Sequence, residues 1–271
     1  MELEQALSRV SYSKVKCFFE CSKNWEATYL LSMKSAKSPE LEKGIKVDLY
    51  YEKLCNPDLI DRDFVFDEFK REFPLLYHKW FLWEKVDLPK GPNIIMKPHL
   101  IYNTQIQTKY LGSFAVEVFS ELDYLNLNNQ KHAYIVDFKT GKTYNYSDQL
   151  AFYSWMTFNT YPEVEEIDAF IFNIGEKESK GLDDQNYFYF KREDDYPKLS
   201  ETTEKQIATM IDKAKERKFY INRCIRCRNC PLLSCRYNKS NELTVASVFE
   251  KVRQKNGDWK CFWKSKKRRF Y

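Results

Sequence analysis

Glycine is scarce in this sequence, with seven among 271 residues. That scarcity argues against long flexible linkers, and the chain reads as one large domain, or one with a small appendage, with ample apolar residues for a core. No apolar stretch approaches the roughly 20 residues that a membrane-spanning helix needs. The opening residues Met1-Glu2-Leu3-Glu4 are acidic and lead into no apolar signal core. These absences predict an intracellular, cytoplasmic protein with no membrane partner. There is no internal repeat and no low-complexity block. A phosphate-binding nucleotide loop is missing as well. Gly141-Lys142-Thr143 has the ending of one, but its first glycine would have to stand at 136, which is Val136. No other helicase-like motif accompanies it, so the chain is not a motor by itself.

What is present is distributed unevenly. The net charge of +5 conceals a basic end: residues 251–271 hold nine Lys or Arg against one acid, Asp258, which leaves the first 250 residues acidic on balance. Trp259, Phe262, Trp263, Phe270 and Tyr271 are interleaved with that charge. Cations neutralise phosphates and aromatic faces stack on unpaired bases, so Lys264, Lys266, Lys267, Arg268 and Arg269 are candidate nucleic-acid contacts. A solvated tail whose aromatics pack on the domain fits the same residues. The expected division is a domain over 1–240 and a basic aromatic tail over 241–271.

Periodicity and turn residues predict helices near 11–33, 39–54, 65–85, 147–159 and 197–218. They predict strands near 93–100, 104–110, 113–123, 132–139, 166–174 and 187–191. Strands followed by a helix folded back between them imply an α/β fold with a mixed sheet flanked by helices. On this frame the sharpest signal is Asp137-Phe138-Lys139-Thr140-Gly141, at the end of the apolar run Ala133-Tyr134-Ile135-Val136. Period two puts Asp137 and Lys139 on one side of a strand. The earlier strand ends at Asp123, and the polar turn Asn126-Leu127-Asn128-Asn129-Gln130-Lys131 separates the two. An antiparallel hairpin would set the aspartates side by side, where they repel unless a cation lies between them. A carboxylate that holds a hard divalent ion, beside a lysine that offsets charge on a phosphate, is a compact tool for phosphodiester cleavage. Gln149 and Tyr153 follow four residues apart, on one face of the helix near 147–159.

Asp123, the Asp137-x-Lys139-Thr-Gly run and Gln149-x-x-x-Tyr153, in that order, resemble the RecB-type branch of the PD-(D/E)XK nucleases. The resemblance spans about residues 11–236. It implies a restriction-endonuclease-like core and a metal-dependent DNA nuclease, most simply an exonuclease in recombination, repair, replication or defence. It implies Mg2+ or Mn2+ held by Asp123 and Asp137 with the Phe138 carbonyl, and Lys139, Gln149 and Tyr153 around the reacting phosphate. DNA, single-stranded or duplex, is the implied partner, along with a helicase or recombination protein. An upstream helix in that family carries Gly-x-x-x-His. Here Gly44 is followed by Asp48, a departure that still offers a ligand for magnesium or manganese. A catalytically inactive DNA-binding relative of the same fold is the alternative, and Asp48 is the feature that favours it.

Eight cysteines complete the pattern, and four of them, Cys224, Cys227, Cys230 and Cys235, fall within twelve residues. In a reducing compartment such crowding favours metal ligation over disulfides, and the flanking Arg223, Arg226, Arg228 and Arg236 favour thiolates. Iron–sulfur nucleases of the RecB-like group use one N-terminal cysteine and three C-terminal ones. The resemblance places Cys21 with Cys227, Cys230 and Cys235 around a 4Fe-4S cluster that joins the N- and C-terminal segments. Cys224 is a substitute within a ferredoxin-like Cys-x2-Cys-x2-Cys run. Ser22 replaces the proline that usually follows the first cysteine, and the last gap is one residue short. Zinc is the competing metal, since all-cysteine zinc sites also use Cys-x2-Cys pairs. Cys17, Cys55 and Cys261 read as small core hydrophobes.

Overall fold

The computed structural model describes residues 2–34, 39–56, 58–89, 93–128, 130–140, 145–175, 187–224, 227, 230–232, 235 and 237. Gly141 to Thr143, Arg226, Arg228, Arg236, Cys261 and the whole basic tail lie outside the described residues, including Lys264, Lys266, Lys267, Arg268 and Arg269.

The N-terminal segment is helical but broken. It comprises α1 (Leu3–Ser8), β1 (Arg9–Val10), α2 (Tyr12–Glu20), α3 (Ser22–Trp25) and a π-helical turn, Glu26–Leu30. Ser11 starts α2 by accepting a hydrogen bond from the Lys14 N–H at 3.4 Å. Extended backbone at Cys21 (φ −161°) ends it. Next come α4 (Pro39–Cys55), α5 (Arg62–Glu72) and α6 (His78–Glu84). The single helix expected over 65–85 is two helices. Pro74 lies between them, and Phe73 before it has left helical geometry (φ −128°, ψ 64°), the conformation that a following proline favours.

The strands are β2 (Ile94–Met96), β3 (His99–Thr108), β4 (Gly112–Glu121), β5 (Tyr124–Asn128), β6 (His132–Lys139), β7 (Glu166–Asn173) and β8 (Tyr187–Lys191). The helix α7 (Ser147–Thr160) links β6 to β7, and α8 (Arg192–Lys215) follows β8. They form one sheet ordered β1-β4-β3 and another ordered β2-β5-β6-β7-β8. All pairings are antiparallel except β1 with β4 and β6 with β7. This is the mixed α/β architecture expected from the sequence. Two details differ. The expected gap after residue 100 lies instead at Lys97-Pro98. A strand, β5, occupies the start of the segment assigned to a polar turn.

The two sheets share one register. His99 pairs with Glu121 in the first, and Met96 with Tyr124 in the second. No residue is inserted between these pairs, so β2-β3 and β4-β5 are two arms of one long hairpin, interrupted at the same level on both sides. Across the interruption the Lys97 N–H donates to the Asp123 carbonyl at 3.2 Å, and the Leu122 N–H to the Pro98 carbonyl at 3.3 Å. Lys97 takes a left-handed φ of 48°, and Pro98 has no N–H to give. These two residues break the ladder and set Asp123 at the kink.

Alternation along β6 and β7 divides the core. Ala133, Ile135, Ile167, Ala169 and Ile171 belong to a cluster with Leu150 and Trp155 of α7 and Ile207 and Met210 of α8. Val136, Phe138, Phe170 and Phe172 cluster with Tyr51 of α4, Phe69 of α5 and Trp83 of α6. The Phe138 ring lies 5.0 Å from Tyr51 and 5.1 Å from Trp83, centroid to centroid. Such tilted and edge-to-face pairs add about 0.5–1.5 kcal/mol each beyond the area they bury. The strand end that carries Asp137 and Lys139 is thus backed by a rigid aromatic wall.

Arg192 locks the far end of α7 to the start of α8. Its guanidinium donates to the carbonyls of Val164 (2.6 Å), Phe158 (2.7 Å) and Tyr161 (2.8 Å). Hydrogen bonds from a charged donor each contribute about 1.5–3 kcal/mol. Replacement of Arg192 by Ala is expected to lower unfolding free energy by roughly 2–3 kcal/mol in urea titration, and Arg192→Lys is expected to recover only part of the loss.

Candidate active site

The site begins with register. Tyr124 pairs with Val136 across β5 and β6, so one step further along the same ladder Asp123 faces Asp137. The Phe138 N–H donates to Asp123 Oδ2 at 2.8 Å, which fixes that carboxylate over the strand that carries its neighbour. Asp137 is only 2% exposed. It points toward α7, where Gln149 Nε2 donates to its Oδ1 at 2.9 Å and to the Tyr153 hydroxyl oxygen at 2.8 Å. Lys139 follows on the same side of β6 and forms an ion pair with Asp137 Oδ2. Its ammonium also lies 5.5 Å from the Tyr146 ring centre. The structure therefore gathers Asp123, Asp137, Lys139, Gln149 and Tyr153. Tyr146 was not foreseen, because an aromatic just before a helix carries no distinguishing signal.

Electrostatics show what this arrangement lacks. Burial pushes the Asp123 carboxyl up to about 8, with the nearby charges of Asp137 and Asp48 acting the same way, against Lys139 and the Phe138 N–H. Burial also raises Asp137, opposed by Lys139. Burial lowers Lys139, but Asp137 and Asp123 outweigh it and hold its pKa above the ordinary value. Tyr153 is held far above its usual range by burial and by the same two carboxylates, so its hydroxyl stays neutral. One ammonium thus serves two carboxylates, one buried and one half-buried. Asp137 Oδ2, although ion-paired, makes no aligned hydrogen bond. Two carboxylates that share a single ammonium are short of positive charge and fit a hard divalent cation.

The helix α4 reaches this strand end through Gly44. A Cβ added there would come within 2.9 Å of Thr140 Oγ1, so a larger residue would make the Thr140 side chain shift. One helical turn later is Asp48. Asp48 lies near enough to Asp123 and Asp137 to raise both, but its own contact is with another residue. Its Oδ2 accepts from Lys97 Nζ at 2.6 Å, and among the described residues no three of His, Cys, Asp or Glu converge closely enough to hold one ion. The acids resolve into an Asp123/Asp137 pair and an Asp48–Lys97 pair. Lys97 was not anticipated, since a lysine before a proline marks nothing in a sequence.

These features coincide with a family profile. The PD-(D/E)XK nuclease superfamily matches residues 9–235. The chain belongs to that superfamily. Among solved structures, it is similar to a candidate exonuclease from Eubacterium rectale, 12% identical, with a TM-score of 0.46 over 89% of this chain and 95% of that one. It is also similar to the protein SSO0001, 9% identical, with a TM-score of 0.38 over 84% of this chain and 90% of that one. No curated protein matches it. PD-(D/E)XK nucleases generally use Mg2+ or Mn2+, and the Asp123/Asp137 pair is the donor set here that suits either. A hard ion of this kind is commonly held by one or two carboxylates, with water completing its shell.

The cysteines lie apart from this nuclease centre. Cys21, Cys227 and Cys230 are buried and Cys235 is partly so. Burial raises the Cys230 thiol, and Cys235, Cys21 and Cys227 add to the effect, so these four sulfurs share one neighbourhood. For Cys230 this reverses the expectation of a favoured thiolate. Cys224 lies beside them, its sulfur 4.0 Å from that of Cys227. They do not form a closed ligand set: no three of the described cysteines are close enough to grip a single ion. Cys17 and Cys55 are buried in the two apolar clusters, as expected of small hydrophobes.

The raised pKa of Asp123 has a definite sign in metal-free protein. The folded state binds that proton more tightly than the unfolded chain, so the group's contribution to stability is full below the ordinary Asp value near 4 and declines as pH rises toward about 8. In chelator, Asp123→Asn is expected to stabilise the protein above pH 8, by on the order of 1–3 kcal/mol, and to have little effect below pH ~4. Thermal melts across this range with EDTA check it, and added Mn2+ should reverse the advantage of the variant.

Proposed function

We propose that this chain is a RecB-type, divalent-metal-dependent deoxyribonuclease that works as an exonuclease. The observation that carries the reading is the placement of Asp123 opposite Asp137, with Lys139 paired to the latter. Bound Mg2+ or Mn2+ would supply Lewis acidity at the scissile phosphate and bring the pKa of water toward neutrality. Asp123 and Asp137 would hold it. Lys139 is kept cationic by both carboxylates and would offset the negative charge that grows on the phosphoryl oxygens, or orient the attacking water. Gln149 fixes one oxygen of Asp137, and the other, now paired with Lys139, would be shared with the ion. Tyr153 supports Gln149 by accepting its N–H at the hydroxyl oxygen. The basic tail over 241–271 would add contacts to DNA, single strands above all, through cations and aromatic faces. The domain over 1–240 would hold the chemistry. A helicase or recombination protein would deliver the DNA.

We further propose that Cys21, Cys227, Cys230 and Cys235 hold a 4Fe-4S cluster that pins the end of the domain to its beginning. The support is a clasp already built from neighbouring residues. The Tyr220 N–H donates to Ser22 Oγ at 2.6 Å, and the Lys23 N–H to the Tyr220 carbonyl at 3.1 Å. Trp25 stacks on Phe219 with centroids 6.1 Å apart. Ser22, standing where the RecB-like iron–sulfur nucleases have proline, helps to tie the two segments together. The clustered thiols require no electron-transfer role.

With end-labelled DNA and Mn2+, Asp137→Ala and Lys139→Ala are each expected to reduce cleavage by roughly a thousandfold. Gln149→Leu should cost less, about ten- to a hundredfold. Cleavage unchanged by both of the first two substitutions would remove this mechanism. For the cysteines, anaerobically purified protein should be brown and contain about four irons per chain, and Cys21→Ser should lose both. Colourless protein with stoichiometric zinc would replace the cluster with a zinc site.

A further inference from the structure

The nuclease reading gives Lys97 no task, yet the structure holds it firmly. Its N–H is bonded to the carbonyl of Asp123. Its ammonium lies 2.6 Å from Asp48 Oδ2 and 3.3 Å from Glu52 Oε2. Asp48 and Glu52 stand one turn apart on α4 and share a face. Lys97 therefore joins two acids of the helix to the backbone of a proposed metal ligand. Its side chain is 22% exposed, so these attractions are only partly screened.

The charges explain why a lysine is wanted there. Asp48 is close enough to Asp123 and Asp137 to raise both. A neutral side chain at 48 would add no charge to the pocket, whereas an aspartate adds one negative charge. Left bare, Asp48 and Glu52 would offer oxygen ligands to a second divalent ion beside the first. An ammonium on the same oxygen competes with such an ion and repels it.

Resting on the nuclease reading, we propose that Lys97 is the resident cation of Asp48, a positioning residue that keeps the site to one divalent ion at Asp123 and Asp137. The test is calorimetric titration of Mn2+ into the metal-stripped full chain, which reads stoichiometry without relying on cleavage. The wild type should bind one ion. Lys97→Met should bind two, the second at least about tenfold tighter than any further binding in the wild type. Lys97→Arg, which keeps the charge, should return to one, as should Lys97→Met combined with Asp48→Asn. If Lys97→Met melts below the titration temperature, Lys97→Gln carries the same test. Two ions in the wild type, or one ion in the neutral Lys97 variant, overturns this inference and leaves the nuclease reading intact. Absence of any saturable ion in the wild type overturns both.

Discussion

Two carboxylates pressed together in a buried pocket repel each other, and the rest of this structure is arranged to hold them there. The register of β5 on β6 puts Asp123 opposite Asp137. The kink at Lys97-Pro98 and Leu122-Asp123 lets Asp123 leave the ladder without losing its place. Gln149 and the Phe138 N–H each hold one oxygen. A single ammonium, Lys139, cannot balance both charges, and Asp123 responds by holding its proton to about pH 8. A pocket built this way is unstable as a set of charges until something positive enters it. That conflict between local electrostatics and global packing is the mark of a functional site.

The two faces of the sheet divide the work. Tyr51, Trp83, Phe138 and Phe172 interlock behind the site, and close-packed aromatic rings resist small displacements. On the other face α7 brings Gln149 and Tyr153, four residues apart, against Asp137. A one-residue slip in β6 would send Asp137 and Lys139 into the aromatic wall and bring Phe138 to the polar side. The packing that stabilises the strand therefore also fixes the direction of its charged residues.

Much of this was legible in the sequence because it follows from short-range periodicity. Period two placed Asp137 and Lys139 together, and a helical four-residue step placed Gln149 with Tyr153. The polar turn after Asn128 set the hairpin that pairs Asp123 with Asp137. Other parts depend on contacts between distant segments and left no local mark. The strand β5 hides behind the polar letters Asn126 and Asn128, although Asn126 is buried and donates to the Pro89 carbonyl. Pro74 divides the helix expected over 65–85, because it favours the non-helical geometry that Phe73 adopts. Lys97 could not be singled out at all. It matters only because the long hairpin brings position 97 beside position 123, and because α4 carries Asp48 to the same end.

Two of the departures from the RecB-type pattern that the sequence resembles carry a structural compensation. Ser22 stands where that pattern has a proline, and its hydroxyl accepts the Tyr220 N–H, joining the segments around 22 and 220. Asp48 stands in place of a histidine, and an ammonium from another element lies within 2.6 Å of it. Aspartate at 48 without that lysine would add negative charge to a pocket already short of positive charge, and the cost would fall on the proton equilibrium of Asp123. With Lys97 present, part of the added charge is met locally, although Asp48 still raises both Asp123 and Asp137. The substitution is thus read better as one half of an ion pair than as the loss of a ligand. An abandoned site would have no reason to keep the other half so firmly held, with backbone and side chain both engaged.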